Sequence, residues 1–157
     1  MAEQKYFLTK EGLNKVQHEY QKLKEVKKEK TLEETPQALH SEELDTEFVA
    51  YREDMEFLEA RIEELEYVLK YAELIAIPDE AKRQQVTLGA KVRLVVNGQE
   101  DEFIIVGTYE ADPNLGRISN DSPVGKALLG HKVGDEVEVS SPKKTIYKIK
   151  KVEYKEI

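Results

Sequence analysis

Residues 39–48, LHSEELDTEF, place Glu42, Glu43, Asp45 and Glu47 within six consecutive positions. Carboxylates at that density can do two things. In the first turn of a helix they complement the exposed amides, each contributing about 0.3–1 kcal/mol through the helix dipole. On a projecting turn they are hard oxygen donors suited to a divalent cation such as Mg2+. Glu42 and Asp45 stand three apart, so a helix would set both on one face. His18, His40 and His131 show no metal-ligand spacing, and the chain has no cysteine for a thiolate site, a disulfide or a thiol nucleophile. Residue types alone leave both readings of the acids open.

The elements on either side decide where these acids stand. Leu44, Phe48, Tyr51, Met55, Leu58, Ile62, Leu65, Leu69 and Ala72 follow alternating steps of four and three, a heptad seam lasting four repeats. This predicts a helix about 45 Å long at about 1.5 Å per residue, capped by Ser41 and ending near Ile77-Pro78. Upstream, Leu13, Val16, Tyr20, Leu23 and Val26 predict a first helix, with Thr9 as its N-cap and Glu11 in its first turn. Pro36 cannot sit inside a helix and marks the bend between them. The spacing therefore predicts an antiparallel coiled-coil hairpin with its bend within residues 34–41 and the acids at the tip.

Charge supports this pairing. Residues 1–30 carry 8 Lys/Arg against 5 Asp/Glu, whereas residues 31–76 carry 3 against 14. The basic run KLKEVKKEK, with Lys22, Lys24, Lys27, Lys28 and Lys30, reads first as the solvated partner of the acidic helix and second as a surface for RNA. A net charge of −8 argues against independent DNA binding. No apolar run reaches the roughly 20 residues of a membrane span, and the first residues lack a secretory pattern. The expectation is a soluble cytoplasmic protein, by default a monomer.

After residue 85 the period changes to two. KVRLVV and DEFIIVG flank NGQE, in which Asn97-Gly98 is a hairpin turn signal. GRISN, DEVEVSS and TIYKIKKVEY read as further strands, and SPVGKALLG as a short helix with a Ser cap, a Pro at its first position and a closing Gly. The fold class is α+β, with a coiled-coil hairpin over residues 1–77, a linker over 78–85 and a small antiparallel sheet domain with one short helix over 86–157.

With these residues in view, the chain resembles the bacterial GreA/GreB transcription factors. YFLTKEGLNKVQHEYQKLK, EFVAYREDMEFLEARIEELE and above all ISNDSPVGKALLGHKVGDEVEV carry the resemblance, in the family's order along both halves. It implies an FKBP-like fold for the sheet domain and RNA polymerase as partner, with Asp121, Ser122 and Pro123 as the contact turn. It also implies that the hairpin enters the polymerase secondary channel and meets the RNA 3′ end. The resemblance implies further that the tip acids there help the polymerase hold Mg2+ for cleavage of backtracked RNA, the chain stimulating hydrolysis without being an enzyme itself.

The tip departs from the family pattern. Aligning Glu47-Phe48 on the family's final Glu-Tyr puts Ser41 and Leu44 where its two catalytic acids stand, while the same spacing recurs one residue later as Glu42 and Asp45. The resemblance thus assigns cleavage support to Glu42 and Asp45, with Glu43 beside them and Glu42 and Asp45 as metal ligands. Gre-like channel inhibition without cleavage is the alternative. A stand-alone FKBP-like interaction module or isomerase is the reading from a different class, and an FKBP-like fold by itself implies no isomerase activity.

Overall fold

A computed structural model describes residues 5–32, 46–140 and 143–154. The chain divides into two compact units. Residues 13–71 form one, and residues 1–12 with 72–157 form the other.

The first unit is a pair of helices, α1 (Lys10–Leu32) and α2 (Thr46–Lys70). Cross-helix partners run in opposite senses along the two elements, which makes the pair antiparallel. Arg61 grips Glu19 with two hydrogen bonds, at 2.8 and 3.1 Å, Lys27 meets Glu59 at 3.5 Å, and Lys30 meets Asp54 at 3.5 Å. The Tyr20 hydroxyl donates to Glu66 at 2.8 Å. The reading of the basic run as partner to the acidic helix therefore holds for Lys27 and Lys30, while Lys24 lies over the Tyr20 ring at 5.0 Å. Such exposed pairs contribute about 0.2–1 kcal/mol each, so the apolar seam does most of the holding. Val16, Ile62, Leu65 and Val68 are buried, and Phe48, Tyr51, Met55 and Leu58 are half-buried.

The second helix ends earlier than the seam predicts. Its last backbone bond is Tyr71 N–H to Tyr67 O at 3.2 Å, and α2 stops at Lys70 rather than near Ile77. Ala72–Leu74 is instead a strand, β2, lying parallel to β1 (Tyr6–Leu8), with Tyr6 opposite Ala72 and Leu8 opposite Leu74. Ile75 N–H then donates to Leu8 O at 2.9 Å. A ladder partner 66 positions away in sequence outcompetes continued helix, and no local pattern announces it.

In the second unit, five strands follow the order β5-β4-β3-β7-β6: β3 (Lys91–Val96), β4 (Gln99–Val106), β5 (Arg117–Ser119), β6 (Glu136–Val139) and β7 (Thr145–Glu153). Neighbours are antiparallel except β5, which joins β4 in parallel and departs from the all-antiparallel expectation. The β3–β4 turn is Asn97-Gly98, with both residues at positive φ, 52° and 78°. That is the conformation a two-residue hairpin needs, and the reason Asn-Gly signals it. Alternation sends Val92 and Leu94 inward and Lys91 and Arg93 outward. Between Arg93 and Leu94 the β3–β7 register shifts, leaving Lys150 as an extra residue on β7. Val92, Leu94, Ile105, Val137, Val139 and Ile149 form the core with Val86, Ala90 and Leu128, the last from α3 (Pro123–Leu128). Residues 78–85, read as a linker, hold a 3-10 turn at Glu80–Lys82, and Gln85 is bridged to Lys132.

Candidate functional site

Two sets of residues carry the functional expectations. The tip acids Glu42, Glu43 and Asp45, with Ser41 and Leu44, lie outside the described residues. Glu47 lies in the first turn of α2, where a carboxylate complements the helix dipole. Among the described residues no group of three or more His, Asp or Glu side chains comes together as a metal site.

The second set is described in full. Asp121, Ser122 and Pro123 form the turn from β5 into α3, with Asp121 and Pro123 exposed and Ser122 half-buried. Ser122 is the N-cap of α3. Its Oγ accepts from Gly125 N–H at 3.0 Å and donates to Ser119 O at 2.6 Å. Pro123 takes the first helical position, where its missing N–H costs nothing. The turn packs so closely on β5 that a Cβ on Gly125 would stand 2.0 Å from Ser119 O. Gly125 therefore admits no side chain.

Asp121 is held from another direction. Thr108, the first residue of a 3-10 turn (Thr108–Glu110), donates its hydroxyl to Asp121 Oδ2 at 3.3 Å and lies 2.8 Å from Ser119 Oγ. Asp121 N–H donates to the same Ser119 Oγ at 3.0 Å. Sequence reasoning selected Asp121, Ser122 and Pro123 and missed Thr108 and Ser119. No local motif joins a Thr to a Ser 11 residues later.

The same 3-10 turn reaches the start of α1. Glu110 accepts from Thr9 N–H at 2.7 Å through Oε2 and from the Thr9 hydroxyl at 2.7 Å through Oε1. Thr9 Oγ1 in turn accepts from Gly12 N–H at 3.0 Å, as expected of an N-cap. Elsewhere on the sheet unit, Lys132 N–H donates to Asp135 at 2.9 Å, and His131 Nδ1 lies 3.2 Å from the same oxygen. The Lys132 amide, followed by the His131 hydrogen bond, holds the Asp135 carboxyl below its ordinary range.

Comparison with known proteins now bears on both units. Residues 6–74 match the family model "Transcription elongation factor, N-terminal", and residues 80–154 match "Transcription elongation factor, GreA/GreB, C-term". The chain belongs to the GreA/GreB family. Transcription elongation factor GreA of Thermomicrobium roseum is 36% identical over 148 residues, covering 93% of this chain and 95% of that relative. The GreA of Rickettsia felis is 40% identical over 158 residues, covering 98% and 97%. Among solved structures, the GreA factor homolog 1 of Thermus thermophilus aligns over 96% of this chain and 99% of its own at 28% identity, with a TM-score of 0.42.

Proposed function

We propose that the chain is a transcription elongation factor that binds bacterial RNA polymerase, inserts its helix pair into the secondary channel and stimulates cleavage of backtracked RNA at the polymerase's own active centre. The observation that carries this reading is the match of both GreA/GreB family models, in order, to residues 6–74 and 80–154. The site of action is then the bacterial cytoplasm, beside the RNA 3′ end. The sheet unit docks through Asp121, Ser122 and Pro123.

The helices are suited to carrying the tip. At about 1.5 Å per residue, the 25 residues of α2 span about 38 Å, and the apolar seam with its cross-helix ion pairs stiffens that length. Glu42 and Asp45, with Glu43 beside them, supply only carboxylate oxygens, the donor type that Mg2+ takes. Bound there, Mg2+ supplies positive charge that acidifies water and stabilises the attacking oxygen. The chain's own part is to bring these carboxylates to the polymerase centre and hold them there.

One observation favours a second reading. Ser41 and Leu44 occupy the aligned positions of the family's acid pair, as expected of a channel inhibitor that does not cleave. The two readings separate in a transcript-cleavage assay on stalled elongation complexes. Wild type is expected to shorten the RNA. Glu42→Ala and Asp45→Ala are each expected to slow cleavage by at least roughly 10–100-fold, the range for losing a group that only orients a metal ligand. Slowed nucleotide addition with no RNA shortening by wild type would establish the inhibitor instead.

A further inference from the structure

Protons in the Thr108–Ser119–Asp121 cluster can be ordered from its acceptors. An ionised carboxylate only accepts, so the hydrogen bond between Thr108 Oγ1 and Asp121 Oδ2, at 3.3 Å, uses the Thr108 proton. A hydroxyl has one proton, so the 2.8 Å contact between Thr108 and Ser119 must use the Ser119 proton. Ser119 Oγ then accepts from Asp121 N–H at 3.0 Å. The result is a closed ring: Asp121 amide to Ser119, Ser119 to Thr108, Thr108 to the Asp121 carboxylate. Each donor in it is polarised by the next.

We infer that Thr108 and Ser119 are positioning residues for the polymerase contact, setting the Asp121 carboxylate for a cationic side chain on the partner. This rests on the reading of Asp121 as a contact residue and goes beyond it by naming what aims the residue and what it meets. Three observations support it. The ring engages Oδ2, and among the described residues no group donates to Oδ1. Asp121 is exposed, so Oδ1 is available to a guanidinium or ammonium from outside. The platform is packed on its other side, where Ser122 Oγ donates to Ser119 O at 2.6 Å and a Cβ on Gly125 would stand 2.0 Å from the same oxygen. A carboxylate fixed before binding loses less side-chain freedom on binding than a free one.

The test is affinity for RNA polymerase, measured with full-length wild type, Asp121→Asn, Thr108→Val, Thr108→Ser and the Thr108→Val/Asp121→Asn pair, each with its melting temperature. Thr108→Val keeps the shape and removes the hydroxyl. It is expected to weaken binding about fivefold, the scale of the side-chain freedom that an unheld Asp121 would lose on binding, with little change in melting because the cluster is exposed. Thr108→Ser restores the donor and is expected to restore affinity. In the Asp121→Asn background Thr108→Val should add nothing, and Asp121→Asn should also flatten the salt dependence of binding.

The outcomes separate the inference from the reading beneath it. If Asp121→Asn weakens binding and Thr108→Val does not, the positioning role is wrong and the contact stands. If Thr108→Val weakens binding equally with and without Asp121, Thr108 acts by another route and the inference falls. If Asp121→Asn leaves binding unchanged, the contact assignment itself fails.

Discussion

At the scale of single residues, some side chains are held by partners remote in sequence and others by near neighbours. Asp121 was selected because it sits in the motif DSPVGKALLG, which carries the family resemblance, whereas Thr108 and Ser119 were not selected, since the hydroxyls meet only after β5 pairs with β4. Asp135 provides a simpler test. The fold lowers its carboxyl from the ordinary 3.8, first through the Lys132 amide and then through His131. A group depressed in the folded state stabilises fully above its unfolded value. That contribution is lost as pH falls through the lowered folded value. Asp135→Asn is therefore expected to lower the urea midpoint at pH 7, with the deficit shrinking in acid below about pH 3.8. Midpoints measured from pH 7 to pH 2 check this, and a deficit constant across that range would mean the charge plays no part.

At the scale of elements, what the sequence makes visible is what depends on neighbours along the chain. The Thr9 and Ser122 caps, the Asn97-Gly98 turn and the period-two strands each need only a few residues, and each appears where its signal stands. The end of α2 and the parallel joining of β5 were not visible, because partners remote in sequence decide them. The start of α1 mixes both kinds. Thr9 was expected, but Glu110 lies 101 positions away, and its carboxylate occupies the space beside Gly12. A Cβ on Gly12 would stand 1.9 Å from Glu110 Oε1. Replacing a helical Gly by Ala normally stabilises by about 1 kcal/mol. Here it must displace a flexible carboxylate that accepts two hydrogen bonds, with a loss of about 2 kcal/mol. Gly12→Ala is thus expected to destabilise wild type by about 1 kcal/mol and to stabilise the Glu110→Ala variant by about the same amount. Chemical denaturation of the four proteins reads the inversion of sign, and a stabilising Gly12→Ala in wild type would show that the Glu110 clamp is weaker than argued.

At the scale of the whole molecule, the proposed function asks for two jobs, docking and action at the tip. The proposed docking groups, Asp121 and Pro123, lie in the sheet unit, whereas the proposed tip acids, Glu42 and Asp45, lie in the sequence between the two helices. The tip acids are an expectation from spacing and resemblance, and they lie outside the described residues. Their role must therefore be read kinetically. A group that only secures docking changes how much factor is needed. A group that acts in the chemical step changes the rate at saturation. Asp121→Ala with Pro123→Ala is expected to raise the half-saturating factor concentration about tenfold, equivalent to about 1.4 kcal/mol, with the maximal cleavage rate and melting nearly unchanged. Glu42→Ala with Asp45→Ala should do the reverse, lowering the maximal rate at an unchanged half-saturating concentration. A titration of each variant against stalled complexes measures both quantities. If the tip variant instead raises the half-saturating concentration and keeps the maximal rate, its acids hold the factor in place and take no part in cleavage. A docking variant that lowers the saturated rate would mean that the turn also governs how the tip meets the active centre.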